Sequence, residues 1–152
     1  MKTRTLALLL CMAPSAVFAC EPGEKLVFSC PTDTRKLVEV CQAPTAIHYT
    51  YGKPGQPPEL KLSEKNQAFV WEHAEGVGSG VGDDLLFKNG ATHYTISHVS
   101  NFDDSADTEA HILVRQPGKE DAYIQCVSGK AKFNPNAIKA KSRGMSEGVP
   151  SF

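Results

Sequence analysis

Leu85-Leu86-Phe87-Lys88-Asn89-Gly90-Ala91-Thr92-His93-Tyr94-Thr95-Ile96 is the stretch whose reading decides the fold class. Asn-Gly accepts the positive φ angles of a two-residue turn, and strand-forming residues flank it on both sides. The stretch therefore predicts a tight β-hairpin. Working outward, Leu26–Cys30 and Lys36–Cys41 flank the polar turn Pro31–Arg35 and predict a second hairpin. Ile47–Tyr51, Leu60–Ser63 and Ala68–Glu72 are further short strand candidates. Ala110–Arg115 and Ala122–Val127, joined through Pro117-Gly118-Lys119, form a third predicted hairpin. The run Pro54-Gly55-Gln56-Pro57-Pro58 is a loop, because helices and central strands exclude such a sequence. No window of helical length keeps a 3.6-residue apolar period. Short strands recurring every 8–12 residues, with turn chemistry between them, predict an all-β protein. The expected form is a small antiparallel β-sandwich or barrel of about eight strands, stapled by disulfides.

The chain has 152 residues, 41% apolar and 22% charged, with a formal net charge of -1. That length suits one domain and excludes a large α/β barrel, and the composition excludes a wholly disordered chain. The near-zero charge gives no electrostatic reason to expect nucleic acid. Both ends differ from the middle. Lys2 and Arg4, the apolar run Leu6–Met12 and Val17-Phe18-Ala19 make residues 1–19 a predicted secretory signal peptide, cut after Ala19. Its apolar stretch is too short for a permanent membrane helix, and no later segment is apolar enough to span. Residues 129–152 carry Lys130, Lys132, Lys139, Lys141 and Arg143 against Glu147 alone, and predict a basic flexible tail. Residues 20–128 remain as the β domain, with 9 basic and 16 acidic residues, a net of -7.

Removing the signal removes Cys11 and leaves Cys20, Cys30, Cys41 and Cys126. An even number in an exported chain predicts two disulfides, and places the protein in the periplasm. Cys30 and Cys41 lie at opposite ends of adjacent hairpin strands, too far apart to bond. The expected pairs are Cys30–Cys126, closing the sheet, and Cys20–Cys41, pinning the N-terminus. Lipidation of Cys20 is the alternative, and it would leave one thiol without a partner.

Four constellations carry possible chemistry. The glycine run Gly76-Val77-Gly78-Ser79-Gly80-Val81-Gly82 resembles a phosphate loop only in composition, since Asp83-Asp84 and a strand follow it. It reads as a surface loop, or as one that inserts into a partner. Asp103, Ser105, Asp107 and Glu109 alternate as calcium ligands do, but Thr108 and Val114 occupy the places that need glycine and a bidentate acid. His48, His73, His93, His98 and His111 show no zinc spacing with the cysteines. Gly78-Ser79-Gly80 lacks the strand–turn–helix context of a hydrolase nucleophile. No catalytic residue, metal or cofactor is assigned.

Phe28-Ser29-Cys30, Leu37-Val38-Glu39-Val40, Ser79-Gly80 and Cys126, in that order, resemble the small bacterial periplasmic or membrane-bound inhibitors of c-type lysozyme. The resemblance implies a compact β fold and a Ser/Gly loop that enters the lysozyme cleft. This chain has Gly82-Asp83 where that family's loop ends in a tyrosine, and only Lys88 loosely matches the lysine-containing stretch that follows. A body of net -7 would also be steered toward basic wall hydrolases. The expectation is an exported non-enzymatic binding protein that blocks a lysozyme-like enzyme. Ser79 and Gly80 would enter the partner, and Asp83 and Asp84 would face its basic residues. The alternatives are an immunity protein against another secreted toxin, and a weak calcium or small-ligand binding module.

Overall fold

The computed structural model describes residues 20–77, 80–101 and 108–144. Two consecutive meanders build two sheets that face each other. The first sheet holds β1 (Lys25–Pro31), β2 (Leu37–Gln42), β3 (Ala46–Gly52) and β4 (Leu60–Lys65). The second holds β5 (Val70–Val77), β6 (Gly80–Asn89), β7 (Thr92–Asn101), β8 (Thr108–Arg115) and β9 (Ala122–Gln125). The chain then returns to add β10 (Lys132–Phe133) to the first sheet and β11 (Ser142–Gly144) to the second. The orders are β10-β1-β2-β3-β4 and β11-β5-β6-β7-β8-β9. Only the β11–β5 pairing is parallel. The sheets do not close, so the architecture is a sandwich and not a barrel. Among the described residues no helix is long and apolar enough to cross a membrane.

The period-2 alternation fills the space between the sheets. Val38, Val40, Ile47, Tyr49 and Leu62 point inward from the first sheet, and Leu85, Phe87, Ile96, Ala110 and Ile112 from the second. Tyr49 meets Phe87 at 5.5 Å between ring centres, and Phe69 meets Phe87 at 5.2 Å. These separations suit tilted aromatic packing across the interface. A register shift between Leu26 and Phe28 makes a bulge, which lets Val27 and Phe28 both be buried.

The β6–β7 hairpin forms where the sequence places it, with a different turn. Asn89 pairs with Thr92, so Gly90-Ala91 is the two-residue loop, and Gly90 alone has positive φ, at 59°. That pattern belongs to turns led by glycine rather than to the Asn-Gly pair. Both expected disulfides are present, Cys20–Cys41 and Cys30–Cys126.

The expected flexible tail is a correction. Residues 129–144 belong to both sheets, and residues 145–152 lie outside the described region. Phe133 pairs with Phe28, the Asn134 N–H donates to the Val27 carbonyl at 2.7 Å, and the 3-10 turn Pro135–Ala137 buries Ala137. The Lys139 N–H donates to Oε1 of buried Gln42 at 3.1 Å. Arg143 Nε donates to Oε1 of buried Glu72 at 2.9 Å. Strands of two or three residues are too short to show a period, so composition alone gave the wrong reading. Residues 1–19, with the predicted signal, also lie outside the described region.

Deleting residues 129–152 should therefore destabilise the domain, since Glu72 loses its cation and the β1 edge is uncovered. A loss of about 1–3 kcal/mol is expected from leaving the buried Glu72 carboxyl unpaired alone. Urea unfolding measures it, and an unchanged midpoint would mean that the segment contributes nothing.

Candidate functional site

The described residues of the glycine run, Gly76, Val77 and Gly80 to Gly82, belong to strands and not to a surface loop. Gly80, Val81, Gly82, Asp83 and Asp84 are all in β6, paired with β5 on one side and β7 on the other. Gly76 is the extra residue of a bulge between Glu75 and Val77, with φ at 80°. Gly80 is buried, and a Cβ built on it would overlap the carbonyl oxygen of Ser100. Its lack of a side chain serves close strand pairing. Ser79 lies outside the described residues.

The two aspartates also have internal roles. Asp83 is on the inner face and buried; its Oδ1 accepts a 3.1 Å hydrogen bond from Trp71 Nε1 and lies 2.7 Å from His73 Nδ1. Asp84 is on the outer face, opposite Glu72 on β5 and Ser97 on β7. Burial pushes the Asp84 carboxyl above its ordinary range, a hydrogen bond with Ser97 opposes this, and the neighbouring Glu72 adds to it. Asp83 is therefore not offered to a basic partner, and Asp84 is largely enclosed. Of the expected calcium loop, only Thr108 and Glu109 are described, at the start of β8. Cys20, Glu24 and Cys41 cluster tightly, but the two sulfurs are bonded to each other and supply no thiolate.

The outer face of the first sheet holds a different site. In β2, β3 and β4 the residues that point away from the core include Glu39, Cys41, His48, Thr50 and Lys61. Glu39 is paired with Thr50, and Thr50 with Lys61, so the three form one row across the sheet. Cys41 and His48 make the next row. Two segments rise around this floor. The Cys20–Cys41 disulfide pins residues 20–24 on one side, where the Glu24 N–H closes a turn on the Glu21 carbonyl. On the other side the proline loop folds back, held where the Glu59 N–H donates to the Tyr51 carbonyl at 2.9 Å. The Lys36–Glu59 ion pair at 2.6 Å secures the end of that loop. Between the two walls lies a cleft of about 640 Å³, lined by Pro22, Pro57 and Pro58 as well as by the floor.

Glu39 is 8% exposed although it lies on the outer face of the sheet. Among the described residues no hydrogen bond or ion pair reaches its carboxyl. Burial alone pushes that carboxyl up to about 7. His48 Nε2 lies 3.3 Å from Glu24 Oε1, and its Nδ1 is buried without a partner. The arrangement can bind and orient a small polar group, or exchange a proton near neutrality. Sequence reasoning missed this site. Its one signal was Glu39 itself, an acid inside the apolar run Leu37-Val38-Glu39-Val40-Cys41. Compared with known proteins, the chain matches no family model, no curated protein and no solved structure.

Two outcomes follow from this geometry. Gly80→Ala should lower stability by about 1–3 kcal/mol, because the backbone of β7 must move to admit the methyl group. A thermal melt equal to the parent's would contradict the close pairing. Glu39 should make stability depend on pH. Its folded pKa lies above the ordinary value of 4.5, so the folded state holds the proton more tightly. The stabilising contribution is full below about 4.5 and is lost as pH rises through about 7. Glu39→Gln should flatten that part of the profile, as measured by urea unfolding at a series of pH values. A parallel profile in the variant would contradict the assignment.

Proposed function

We propose that the protein is an exported, non-enzymatic binding protein that holds its ligand in the cleft above Glu39. The observation that carries this reading is Glu39, 8% exposed and met by no hydrogen bond or ion pair among the described residues, on the floor of a cleft of about 640 Å³. Buried polar groups are normally satisfied, and an exception set in a cavity of ligand size invites a ligand to complete it. Rigid parts make the cleft: a three-strand floor, a disulfide-pinned wall and a proline-rich wall. A preformed cavity costs little ordering when it is filled. The signal-like residues 1–19 and the two disulfides support export to the periplasm.

A second reading keeps the target as a lysozyme-like hydrolase, in line with the family resemblance, and uses the β5–β6 tip. Glu75 and Gly76 are exposed there, and the position of a Cβ on Gly76 meets open space. Gly80, tightly paired with β7, begins the following strand, and Glu75 adds an acid on the other side. An acidic body would steer it toward a basic enzyme.

Backbone NMR with a library of small fragments tests the first reading. Saturable shifts should cluster on Glu39, Thr50 and Lys61. Shifts confined to Glu75 and Gly76 on adding a c-type lysozyme, with loss of that enzyme's activity, would favour the second reading instead.

A further inference from the structure

We propose that the ligand of this cleft is a small organic cation, a primary ammonium group on an apolar stem, seated with its nitrogen against Glu39. The proposal rests on the reading of the cleft as a binding site and specifies the chemistry of what enters it.

The charges around the cavity select against the alternatives. Glu21, Glu24 and Glu39 all line it. Lys61 is its one lysine, is exposed, and stands two strands from Glu39 in the same row. Among the described residues no ion pair joins Lys61 to Glu39, and burial alone acts on the Glu39 carboxyl. His48 is already engaged with Glu24 at 3.3 Å. Above about pH 7, where Glu39 is ionised, an anionic ligand would meet three carboxylates, and a neutral one would leave Glu39 without a counter-charge. A cation supplies what the site lacks.

The donors of an ammonium also find matching acceptors. The first is the Glu39 carboxylate. The second is the oxygen of the Thr50 hydroxyl, whose proton is directed to the Glu39 backbone carbonyl at 3.5 Å. Thr50 is the residue paired with Glu39 across β2 and β3. The Glu39 carboxyl, which no protein group meets, and the Thr50 hydroxyl beside it in the same row are thus answered by a single ligand atom. The walls suit the remainder of such a molecule. Pro22, Pro57, Pro58 and the Cys20–Cys41 disulfide offer apolar surface to a methylene chain.

Binding of this kind is coupled to a proton. The Glu39 carboxyl must be ionised to hold the ammonium, and burial keeps it protonated up to about 7 in the empty cleft. Amine affinity should therefore rise as pH climbs through that value. Glu21, Glu24, His48 and Lys61 are the other titratable groups at the cleft.

Hexylamine, hexanol and hexanoate share one stem and differ in head-group charge, which makes them the probes. Each is titrated into the intact protein at pH 8, with affinity from calorimetry and the contact surface from amide shifts. Hexylamine should bind tightest, with shifts on Glu39, Thr50 and His48. Glu39→Gln should weaken hexylamine roughly ten- to a hundred-fold and bring it level with hexanol. Amide shifts with hexanol in the Glu39→Gln protein, still on Thr50 and His48, control for the integrity of the cleft. Hexylamine no tighter than hexanol in the parent protein, or unaffected by Glu39→Gln, overturns the proposal. Binding of hexanol or hexanoate over the same residues without hexylamine overturns the cation while leaving the cleft a binding site. Absence of shifts at the cleft with all three probes removes both readings.

Discussion

The joining of the two meanders at one edge is the constraint on which the sandwich depends. Cys30 near the end of β1 is bonded to Cys126 just after β9, residues 96 apart in sequence. Main-chain bonds accompany the link. The Val127 N–H donates to the Pro31 carbonyl at 2.8 Å, and the Asp33 N–H to the Gln125 carbonyl at 3.2 Å. A crosslink over so long a stretch removes much of the unfolded chain's freedom, and a native disulfide of this kind contributes about 2–5 kcal/mol. It also fixes which face of each sheet is inner. With that face set, β2 must turn Val38 and Val40 inward and Glu39 and Cys41 outward. Cys41 is then in place to hold Cys20, and residues 20–24 become a wall over Glu39.

Among the described residues three acids, Glu39, Glu72 and Asp83, are buried, and they are accommodated in different ways. Asp83 is met by Trp71 and His73 on the neighbouring strand. Glu72 is met by Arg143, brought by the last described strand. Glu39 is met by nothing among the described residues. Burying a charge without a partner is so costly that the group takes up a proton instead. A neutral acid has no structural use in the middle of a strand where valine or threonine would pack as well. That contrast within one molecule is the reason to assign Glu39 to a ligand and the other two acids to the fold.

The fold was largely legible in the sequence, because strand alternation and turn residues are local. The hairpins, the β3 strand and the disulfide pairs could be read directly. The glycine run was misread for a physical reason. Alternating glycines look like a loop in composition, yet Gly80 is required by close approach to Ser100, a contact between strands that no local pattern records. The basic C-terminal stretch was misread in the same way, since β10 and β11 exist only because β1 and β5 offer open edges. The candidate site was the least legible. It is made by two walls that do not belong to the strands they cover, one from residues 20–24 and one from the proline loop. Sequence showed the acid in the apolar run but not what would enclose it.

The account stands on the ionisation of Glu39. A titration following the Glu39 side-chain carboxyl carbon by NMR measures it directly in the parent protein. The account predicts a midpoint of about 7 in the empty cleft. A midpoint near the ordinary glutamate value of about 4.3 would show a solvated or paired carboxylate, and would contradict it.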